Sequence, residues 1–379
     1  MPKALITTVP FADNNRLPLE LLQAAGIDYL INPLGRRLKE LELADMVADV
    51  DVLIAGTEPV TDLVMGRANR LKLISRVGIG LDSVDLLAAE RRGIKVAYTP
   101  DAPAPAVAEL TFGLMLCLLR SVHVANLQLH HGKWQRHMGR RLAEVTVGII
   151  GTGRIGARVL RRIPAFGTPR VLVNDIRPDL KLVPELKLEW VGKEEIYAQA
   201  DVISLHLPLT AQTKNMIRRE HLLKMKPDAL LINASRGGII NEHDLAEVMR
   251  SGHLGGAAID VFDHEPYTGE LSGIERCLLT AHMGSMSIDC RTRMEIEATE
   301  EAVRYLSGRA LLSPVPSDEY DIQRHGLCAS GRAKSVRGGR RGISRIARGR
   351  QAERRGECRS YLRSRPVSVV EAGSGDGRR

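Results

Sequence analysis

The sequence contains no long apolar run. None of its hydrophobic stretches approaches the roughly 20 residues that a membrane-spanning helix needs. The first residues, MPKALITTV, lack the apolar segment and the cleavage site of a signal peptide. We therefore expect a cytoplasmic protein that has no membrane partner.

Cysteine is scarce and scattered. No two of the cysteines stand in a CxxC pair or at the spacing of a metal site; they are Cys117, Cys277, Cys290, Cys328 and Cys358. The adjacent His130 and His131 point in different directions on a helix, whereas a metal pair needs a spacing of three or four residues. We predict neither disulfides nor a metal site.

An excess of charge is absent from most of the chain, although the formal net charge is +9. The stretch 313–379 holds 16 of the 54 Lys and Arg residues and 7 of the 45 Asp and Glu residues, so it carries the whole excess. Residues 1–312 are electrically neutral. Residues 1–312 therefore lack the excess of positive charge that is typical of a folded nucleic-acid-binding domain.

The C-terminal stretch 313–379 differs in composition from the rest. It is rich in Arg, Gly and Ser and shows no sustained period from residue 323 onward, so we predict a disordered basic tail. Its arginines could attract nucleic acid or an acidic membrane through phosphate groups. A solvated extension without a specific function, or a terminus that is out of frame or otherwise non-native, explains the same composition.

What the first 312 residues contain is an alternation of strand-like and helix-like runs, which predicts an α/β fold with parallel sheets. At 379 residues, the chain is long enough for two domains.

The predicted strands of a first unit are 3–9, 51–56, 71–78 and 93–100, and its predicted helices are 17–26 and 85–93. A long helix is predicted over 105–134. The strands of a second unit begin at 145 and continue at 170–175, 200–208, 229–235, 256–262 and 277–282, with helices at 243–252 and 285–306. Five or more such strands predict a doubly wound sheet.

A glycine-rich turn opens the second unit. The stretch VTVGIIGTGRIGARVLRRI places Gly151, Gly153 and Gly156 at GxGxxG spacing after an apolar strand and before a helix. Gly151 would permit the tight turn, Gly153 the approach of a pyrophosphate, and Gly156 the packing of helix on strand, with the Arg154 and Ile155 amides at the helix start. The turn predicts a dinucleotide site.

Asp175 closes the next strand, 24 residues after Gly151. Its carboxylate would accept hydrogen bonds from the ribose hydroxyls and repel a 2′-phosphate, so NAD is predicted rather than NADP. Arg177 keeps NADP open, because an arginine just after this strand can accommodate the 2′-phosphate.

Three ionisable residues follow later strands: Arg236 after LLINAS, Glu265 after AAIDVFDH, and His282 at the end of LLTAH. Each alone is more simply explained as a surface cation, a solvated acid or a core histidine. Together, at strand ends where α/β sheets bind ligands, they predict an active site.

Oxidation of an alcohol beside a carboxylate needs a base, a hydride acceptor and an anchor for the anion. His282 is predicted to be the acid/base and Glu265 its partner, because a carboxylate orients the ring and favours its charged form. Arg236 is predicted to bind the substrate carboxylate with its planar fork.

The motifs in this order resemble those of the D-isomer-specific 2-hydroxyacid dehydrogenases over about residues 1–312. The matching stretches are RVGIGLDSVDLLAAERRGI, AVAELTFGLML, GKWQR, GIIGTGRIG, HLPLTAQT, NASRGGIINEHDL, AAIDVFDHEP and TAHMGSMS. Within the family, the resemblance is greatest to the members that act on 3-phosphoglycerate.

The resemblance implies two Rossmann or flavodoxin-like domains. Residues 1–100 and 285–312 would form a discontinuous substrate-binding domain, residues 101–284 an NAD-binding domain, and 313–379 the tail. It implies catalytic roles for Arg236, Glu265 and His282, and it places the backbone of Val77, Gly78 and Ile79 against the substrate carboxylate. Around NAD, besides the glycines, it places Arg154, Ile155, Asp175, Leu207, Ala234, Asp260 and Ser285. It also implies a homodimer formed partly through the segment HVANLQLHHGKW.

One departure concerns the substrate. Members acting on 3-phosphoglycerate typically carry an Arg-Ser pair after the strand that corresponds to 51–56, and this chain has Gly56 and Thr57. Arg76 is either a substitute cation or structural. The predicted substrate is 3-phosphoglycerate; the alternatives are glyoxylate, hydroxypyruvate or a phosphonate-type 2-oxo acid, and, in another class, an NAD-sensing corepressor whose tail contacts nucleic acid.

Overall fold

The computed structural model describes the backbone of residues 1–331 and the side chains of residues 1–324. The rest of the predicted basic tail, residues 332–379, lies outside the described residues. Within the described part, two parallel sheets are each covered by helices. The predicted α/β class with two doubly wound sheets is therefore confirmed.

The first sheet has five parallel strands in the order β2-β1-β3-β4-β5. Its strands are β1 (Lys3–Ile6), β2 (Asp28–Ile31), β3 (Val52–Ala55), β4 (Leu73–Arg76) and β5 (Lys95–Tyr98). Its helices are α1 (Leu17–Ala24), α2 (Glu40–Met46), α3 (Asp62–Arg67) and α4 (Leu86–Arg91). The central strands β3 and β4 are buried at every position, which is why they appear in the sequence as continuous apolar runs.

The second sheet has seven parallel strands in the order β12-β11-β10-β9-β6-β7-β8. Its strands are β6 (Val147–Ile150), β7 (Val171–Asn174), β8 (Leu188–Trp190), β9 (Val202–Leu205), β10 (Leu230–Asn233), β11 (Gly256–Ile259) and β12 (Cys277–Leu279). Its helices are α5 (Ala104–Leu119), α6 (Val122–His130), α7 (Arg154–Leu160), α8 (Lys193–Gln199), α9 (Arg219–Lys224) and α10 (Glu242–Ser251). Short 3-10 turns lie at Leu142–Glu144, Ile163–Phe166 and Glu270–Gly273.

The strand order of the second sheet reverses direction next to β6. Strand β6 pairs with β7 on one side and with β9 on the other, in parallel on both sides. In an open α/β sheet, the carboxyl ends of strands at such a reversal diverge and leave a crevice for a ligand. The turn at Gly151 and the segment beginning at His206 follow β6 and β9 at this position.

The helix after the second sheet, α11 (Ile288–Leu306), returns to the first sheet. Cys290, Met294 and Ala298 share an apolar core with residues of β1 and β3, and the Ser75 hydroxyl donates to the Ala298 carbonyl over 2.7 Å. The chain thus passes from the first sheet to the second and back. The functional names and exact bounds given to the two domains above stay predictions.

Residues 313–324 of the predicted tail are folded. Pro314 bridges Ala97 of β5, and a further helix, α12, runs over Ser317–Gly331. The side chain of Gln323 accepts from the Leu86 amide over 2.9 Å and donates to the Val84 carbonyl over 2.8 Å. The prediction of disorder from residue 313 is therefore wrong for 313–324. Polar contacts to the start of α4 hold this segment, and a search for apolar periodicity in the sequence does not reveal such contacts.

The single helix predicted over 105–134 is also wrong. Helices α5 and α6 are separated at Ser121, whose φ of 51° is left-handed, and they are bent by 66°. Within the described residues, no single helix is long and apolar enough to cross a membrane; α5 and α6 together reach that length and apolar content, but they are bent.

Candidate active site

The predicted dinucleotide turn links β6 to α7. A Cβ atom on Gly151 would lie 2.3 Å from the His206 carbonyl oxygen, and one on Gly156 would lie 2.0 Å from the Gly151 oxygen. A side chain at either position would clash with the backbone, so both positions need glycine. A Cβ on Gly153, by contrast, would meet nothing within 4 Å, so the backbone there borders open space. That open backbone at the start of a helix suits a pyrophosphate.

Asp175 lies just after β7 and is held by three donors. Its Oδ2 accepts from the Thr152 amide over 2.6 Å and from the Thr152 hydroxyl over 3.1 Å, and its Oδ1 accepts from the Arg177 amide over 2.8 Å. The carboxylate is thus fixed beside the glycine turn. A fixed carboxylate in this position matches the ribose hydroxyls of NAD.

The other residues predicted around the cofactor fall on two adjoining cavities. Ala234, Asp260 and Ser285 line a cavity of about 500 Å³. Gly153, Arg154 and Leu207 line a second cavity of about 740 Å³, and Ile155 lines both. Asp175 is not among the described residues that line either cavity.

Two of these residues have partners within the protein. Arg154 pairs with Asp101 over 3.1 Å. Asp260 is fully buried and holds the turn after β12: it accepts from the Thr280 hydroxyl over 2.6 Å and from the amides of Met283 and Gly284 over 2.7 and 2.9 Å. Burial raises the pKa of Asp260, although these hydrogen bonds favour its charged form. The structure therefore assigns Asp260 to shaping the His282 turn.

His282 and Glu265 form a direct pair. His282 Nδ1 lies 2.9 Å from Glu265 Oε2 and 3.1 Å from Oε1. The backbone of His282 has a left-handed φ of 52°, and its amide donates to the Asp260 carbonyl over 2.8 Å. The Phe262 amide holds Glu265 Oε1 over 3.1 Å. Both side chains are thereby fixed by the loops after β11 and β12.

The charge state of Glu265 sets the tautomer of the ring. Burial pushes the pKa of Glu265 upward, but the His282 hydrogen bond, the His282 charge and the Phe262 amide outweigh it, so the pKa is lowered. An ionised carboxylate only accepts hydrogen bonds, so Nδ1 carries a proton and Nε2 is the nitrogen left to exchange one. His282 and Glu265 both line the 500 Å³ cavity.

Arg236 lies just beyond β10 and is oriented by two acceptors. Its Nε donates to Asp82 Oδ2 over 2.6 Å and its Nη1 to the Ser235 carbonyl over 2.7 Å. The turn itself is held by Asn233, whose side chain donates to the Arg236 carbonyl over 2.9 Å. Among the described residues, Nη2 donates to no acceptor; it rests against Gly80, where a Cβ would be 2.3 Å away. Nη2 is therefore available to an anion.

In the loop after β4, which is predicted to bind the substrate, only some of the backbone amides are free to bind a ligand. The Val77 amide donates to the Ala55 carbonyl over 2.9 Å, and the Gly78 amide to the Thr99 hydroxyl over 2.8 Å. Within the described part of the chain, the amides of Ile79 and Gly80 meet no acceptor. All four residues line the cavity, but only the last two amides can bind a ligand.

Arg76 lies under this loop and is nearly buried, with 7% of its surface exposed. Its Nε is buried and meets no acceptor among the described residues, while Nη1 donates to the Val77 carbonyl. Burial lowers the pKa of Arg76 to about 10. The negative charge of Glu58 opposes this shift, and the positive charge of Arg236 adds to it.

Two acidic residues of the cavity were missed at the sequence level. Asp82 orients Arg236, and the buried Glu58 lines the wall next to Arg76. Asp82 lies in the matching stretch that begins at Arg76, where no role was predicted for it, and Glu58 lies in none of the matching stretches, so only the fold reveals what they contact. Among the described residues, no group of three or more His, Cys, Asp or Glu side chains is placed to hold a metal ion.

A dinucleotide turn, a strand-end carboxylate and a histidine–glutamate pair beside a free arginine nitrogen define a nicotinamide-dependent oxidoreductase of the Rossmann type. Residues 112–284 match the family described as "D-isomer specific 2-hydroxyacid dehydrogenase, NAD binding domain". The chain belongs to the D-isomer-specific 2-hydroxyacid dehydrogenases, and NAD is its cofactor.

Named relatives act on different substrates. The chain is 38% identical over 280 residues to the hydroxypyruvate reductase of Thermotoga maritima, covering 72% of this chain and 90% of that protein. It is 37% identical over 282 residues to the D-3-phosphoglycerate dehydrogenase of Methanocaldococcus jannaschii, covering 72% of this chain but only 52% of that protein.

Among solved structures, the chain resembles the TT0316 protein from Thermus thermophilus. The TM-score is 0.76 at 35% identity, and the match covers 83% of this chain and 100% of the other.

Proposed function

We propose that this protein interconverts a D-2-hydroxy acid and its 2-oxo acid, with His282 as the acid/base. The observation that carries the proposal is that the His282–Glu265 pair, the free Nη2 of Arg236 and the free amides of Ile79 and Gly80 all face one cavity. An acid/base and an anion anchor that face one small space are what this reaction needs.

Arg236 and the two amides bind the substrate carboxylate. Nη2 supplies a charge-assisted hydrogen bond, and its position is set by the bonds that Nε and Nη1 already make. This anchoring holds C2 of the substrate towards His282. The same guanidinium polarises the oxygen on C2.

His282 moves the proton. During oxidation, Nε2 takes the proton from the hydroxyl on C2; during reduction, it returns a proton to the oxygen of the carbonyl. Glu265 stabilises the charged imidazolium that exists between these events. NAD held at the glycine turn would supply the hydride chemistry: an acceptor for the hydride of C2 in oxidation and, when reduced, a donor of it.

Two kinds of distal group remain compatible with these roles. The predicted substrate, 3-phosphoglycerate, is supported by the relatives named D-3-phosphoglycerate dehydrogenase, and glyoxylate or hydroxypyruvate by the relatives named for those reactions. The alternative of an NAD-sensing corepressor depends on the tail, of which 332–379 lies outside the described residues.

A substrate panel tests the proposal. Purified full-length protein is assayed with NADH and with NADPH against glyoxylate, hydroxypyruvate, pyruvate and 3-phosphohydroxypyruvate. At least one 2-oxo acid should be reduced, faster with NADH than with NADPH. Absence of turnover with every 2-oxo acid in both directions would refute the proposal.

We also propose that the protein forms a homodimer through α6 and the segment that follows it. Trp134 and Met138 are 84% and 100% exposed, and the neighbouring Val122, Leu127 and Leu129 are exposed as well. An apolar patch of this kind is typical of a protein–protein interface. A second copy of the chain would cover it.

A further inference from the structure

Glu58 is a buried acid on the wall of the active-site cavity. It follows β3 by three residues, is 1% exposed, and lines the same 500 Å³ space as Arg236 and His282. One of its two oxygens is committed: Oε1 accepts from the Gly56 amide over 2.7 Å and from the Thr7 hydroxyl. These bonds fix the orientation of the carboxylate.

The other oxygen, Oε2, meets no donor among the described residues. A Cβ on Gly56 would lie 2.8 Å from it, so any larger residue at position 56 would push against Oε2. The two positions are therefore coupled: the small residue at 56 leaves room for a carboxylate oxygen. Oε2 is not one of the buried polar atoms that lack a partner, so it is accessible from the cavity that Glu58 lines, where a ligand can donate to it.

Basic groups nearby do not neutralise Glu58 by contact. Within the described residues, no Lys, Arg or His nitrogen lies within 4 Å of its oxygens. Arg291, which also lines the cavity, directs Nε to Glu295 over 2.7 Å and Nη2 to the Thr8 hydroxyl and the Pro10 carbonyl over 2.6 and 2.7 Å. Arg291 is thus committed to other acceptors, and Arg76 attracts Glu58 without pairing with it.

The position of Glu58 relative to the anion anchor follows from strand pairing. Strands β3 and β4 are neighbours, with Ala55 opposite Arg76. Glu58 and Ile79 each lie three residues beyond these partners, in the loops that follow neighbouring strand ends, and both line the 500 Å³ cavity. A group on C3 of a substrate whose carboxylate meets the Ile79 amide therefore lies within reach of Glu58.

We infer that Glu58 is a specificity-determining residue: its free oxygen accepts a hydrogen bond from a hydroxyl on C3 and its charge disfavours a phosphate ester there. The substrate class is accordingly a 3-hydroxy-2-oxo acid, or the corresponding 2,3-dihydroxy acid. A site built to bind a hydroxyl rejects analogues that lack it, because its own polar group is then left without a partner. Two negative groups a few ångströms apart in a partly dry cavity repel strongly. The inference rests on the proposed function.

The test compares kcat/KM for two substrates measured on the same preparation of each protein. Because both values fall equally when part of the protein is unfolded, their ratio does not depend on the folded fraction. With NADH, the wild-type protein should prefer hydroxypyruvate over 3-phosphohydroxypyruvate, and over pyruvate, by about tenfold or more, the size of one hydrogen bond to a charged group. Glu58→Ala should lower kcat/KM for hydroxypyruvate by a similar factor and leave that for glyoxylate, which has no C3, within about threefold. The phosphorylated substrate should improve in the same variant.

Glu58→Gln serves as a second variant, because it keeps the shape and removes the charge. It should shift the preference towards 3-phosphohydroxypyruvate even if Glu58→Ala folds poorly. Glu301→Gln is the matched control: this acid is 4% exposed, accepts from the Leu312 and Ser313 amides, and lies outside both cavities. It should leave the ratio unchanged.

The inference would be overturned if the wild type preferred the phosphorylated substrate, or if the kcat/KM ratio of hydroxypyruvate to 3-phosphohydroxypyruvate were unchanged in both Glu58 variants. Turnover of glyoxylate in the same assays would still uphold the proposed function. Absence of turnover with every 2-oxo acid would overturn both.

Discussion

Asp82 and Arg236 form an ion pair across the cleft, with Arg236 Nε 2.6 Å from Asp82 Oδ2. Asp82 belongs to the loop after β4 of the first sheet, and Arg236 to the loop after β10 of the second. The residue proposed to anchor the substrate is thus oriented by a loop of the first sheet.

Loss of this pair should weaken the anchor without changing cofactor binding. In Asp82→Asn, the guanidinium keeps its bond to the Ser235 carbonyl but loses a charge-assisted one, so we expect KM for the 2-oxo acid to rise by about tenfold, with a smaller change in kcat. NAD affinity, measured by calorimetry, should stay within a factor of about two. Asp45→Asn, which removes an exposed pair with Arg67, is the control. Unchanged KM would show that Asp82 does not position Arg236.

The histidine–glutamate pair should set the pH dependence. Because the pKa of Glu265 is lowered, its carboxylate is ionised throughout the neutral range and stabilises the imidazolium that forms on His282 during the reaction. As the pH falls, this support should be lost only when Glu265 takes up a proton, at a pH below the ordinary range of a glutamate. In Glu265→Gln the support is absent at every pH, so we expect kcat across the neutral range to be lower than in the wild type by about tenfold or more. A kcat equal to that of the wild type would contradict the role of the pair.

Asp175 should decide between the two nicotinamide cofactors. In Asp175→Ala, repulsion of a 2′-phosphate disappears, and the support that the carboxylate gives to Thr152 disappears with it. Both cofactors should bind more weakly than NAD does in the wild type, but the ratio of kcat/KM for NAD over NADP should drop by about tenfold or more. Asp179→Ala, a few residues further on, is the control. An unchanged ratio would refute the role.

The proposed dimer makes α6 sensitive to charge. Leu129 is 56% exposed, and Leu129→Glu would place a carboxylate in the interface. Light scattering should show a dimer for the wild type and a shift to monomer for the variant. Leu41→Glu, at a position 58% exposed on α2, should remain dimeric. A monomeric wild type would rule out the proposal.

The fold is predictable from the sequence where strands are fully buried. β3, β9, β10 and β11 are apolar at nearly every position, and each coincides with a predicted strand. β2 and β8 escape prediction, because they lie at sheet edges and are partly exposed. The break at Ser121 escapes it as well, since the apolar pattern continues through it.

Strand ends are the useful signal for the site. In parallel sheets, the carboxyl ends of successive strands lie on one edge, which is why Glu265 and His282 meet although 17 positions separate them. The partner of Arg236 could not be predicted in this way. Asp82 is 154 positions distant and lies on the other sheet, so their contact depends on how the lobes pack. The same holds for Glu58, whose neighbours Thr7 and Gly56 come from different strand ends.

The role of His282 is best tested by the turnover of NADH with a 2-oxo acid by the wild type and by His282→Gln, alongside NAD binding by each. We expect the variant to bind NAD within a factor of about two of the wild type but to have a kcat lower by roughly a hundredfold or more, since Nε2 no longer exchanges the proton. Equal turnover in the two proteins would show that His282 is not the acid/base of this dehydrogenase.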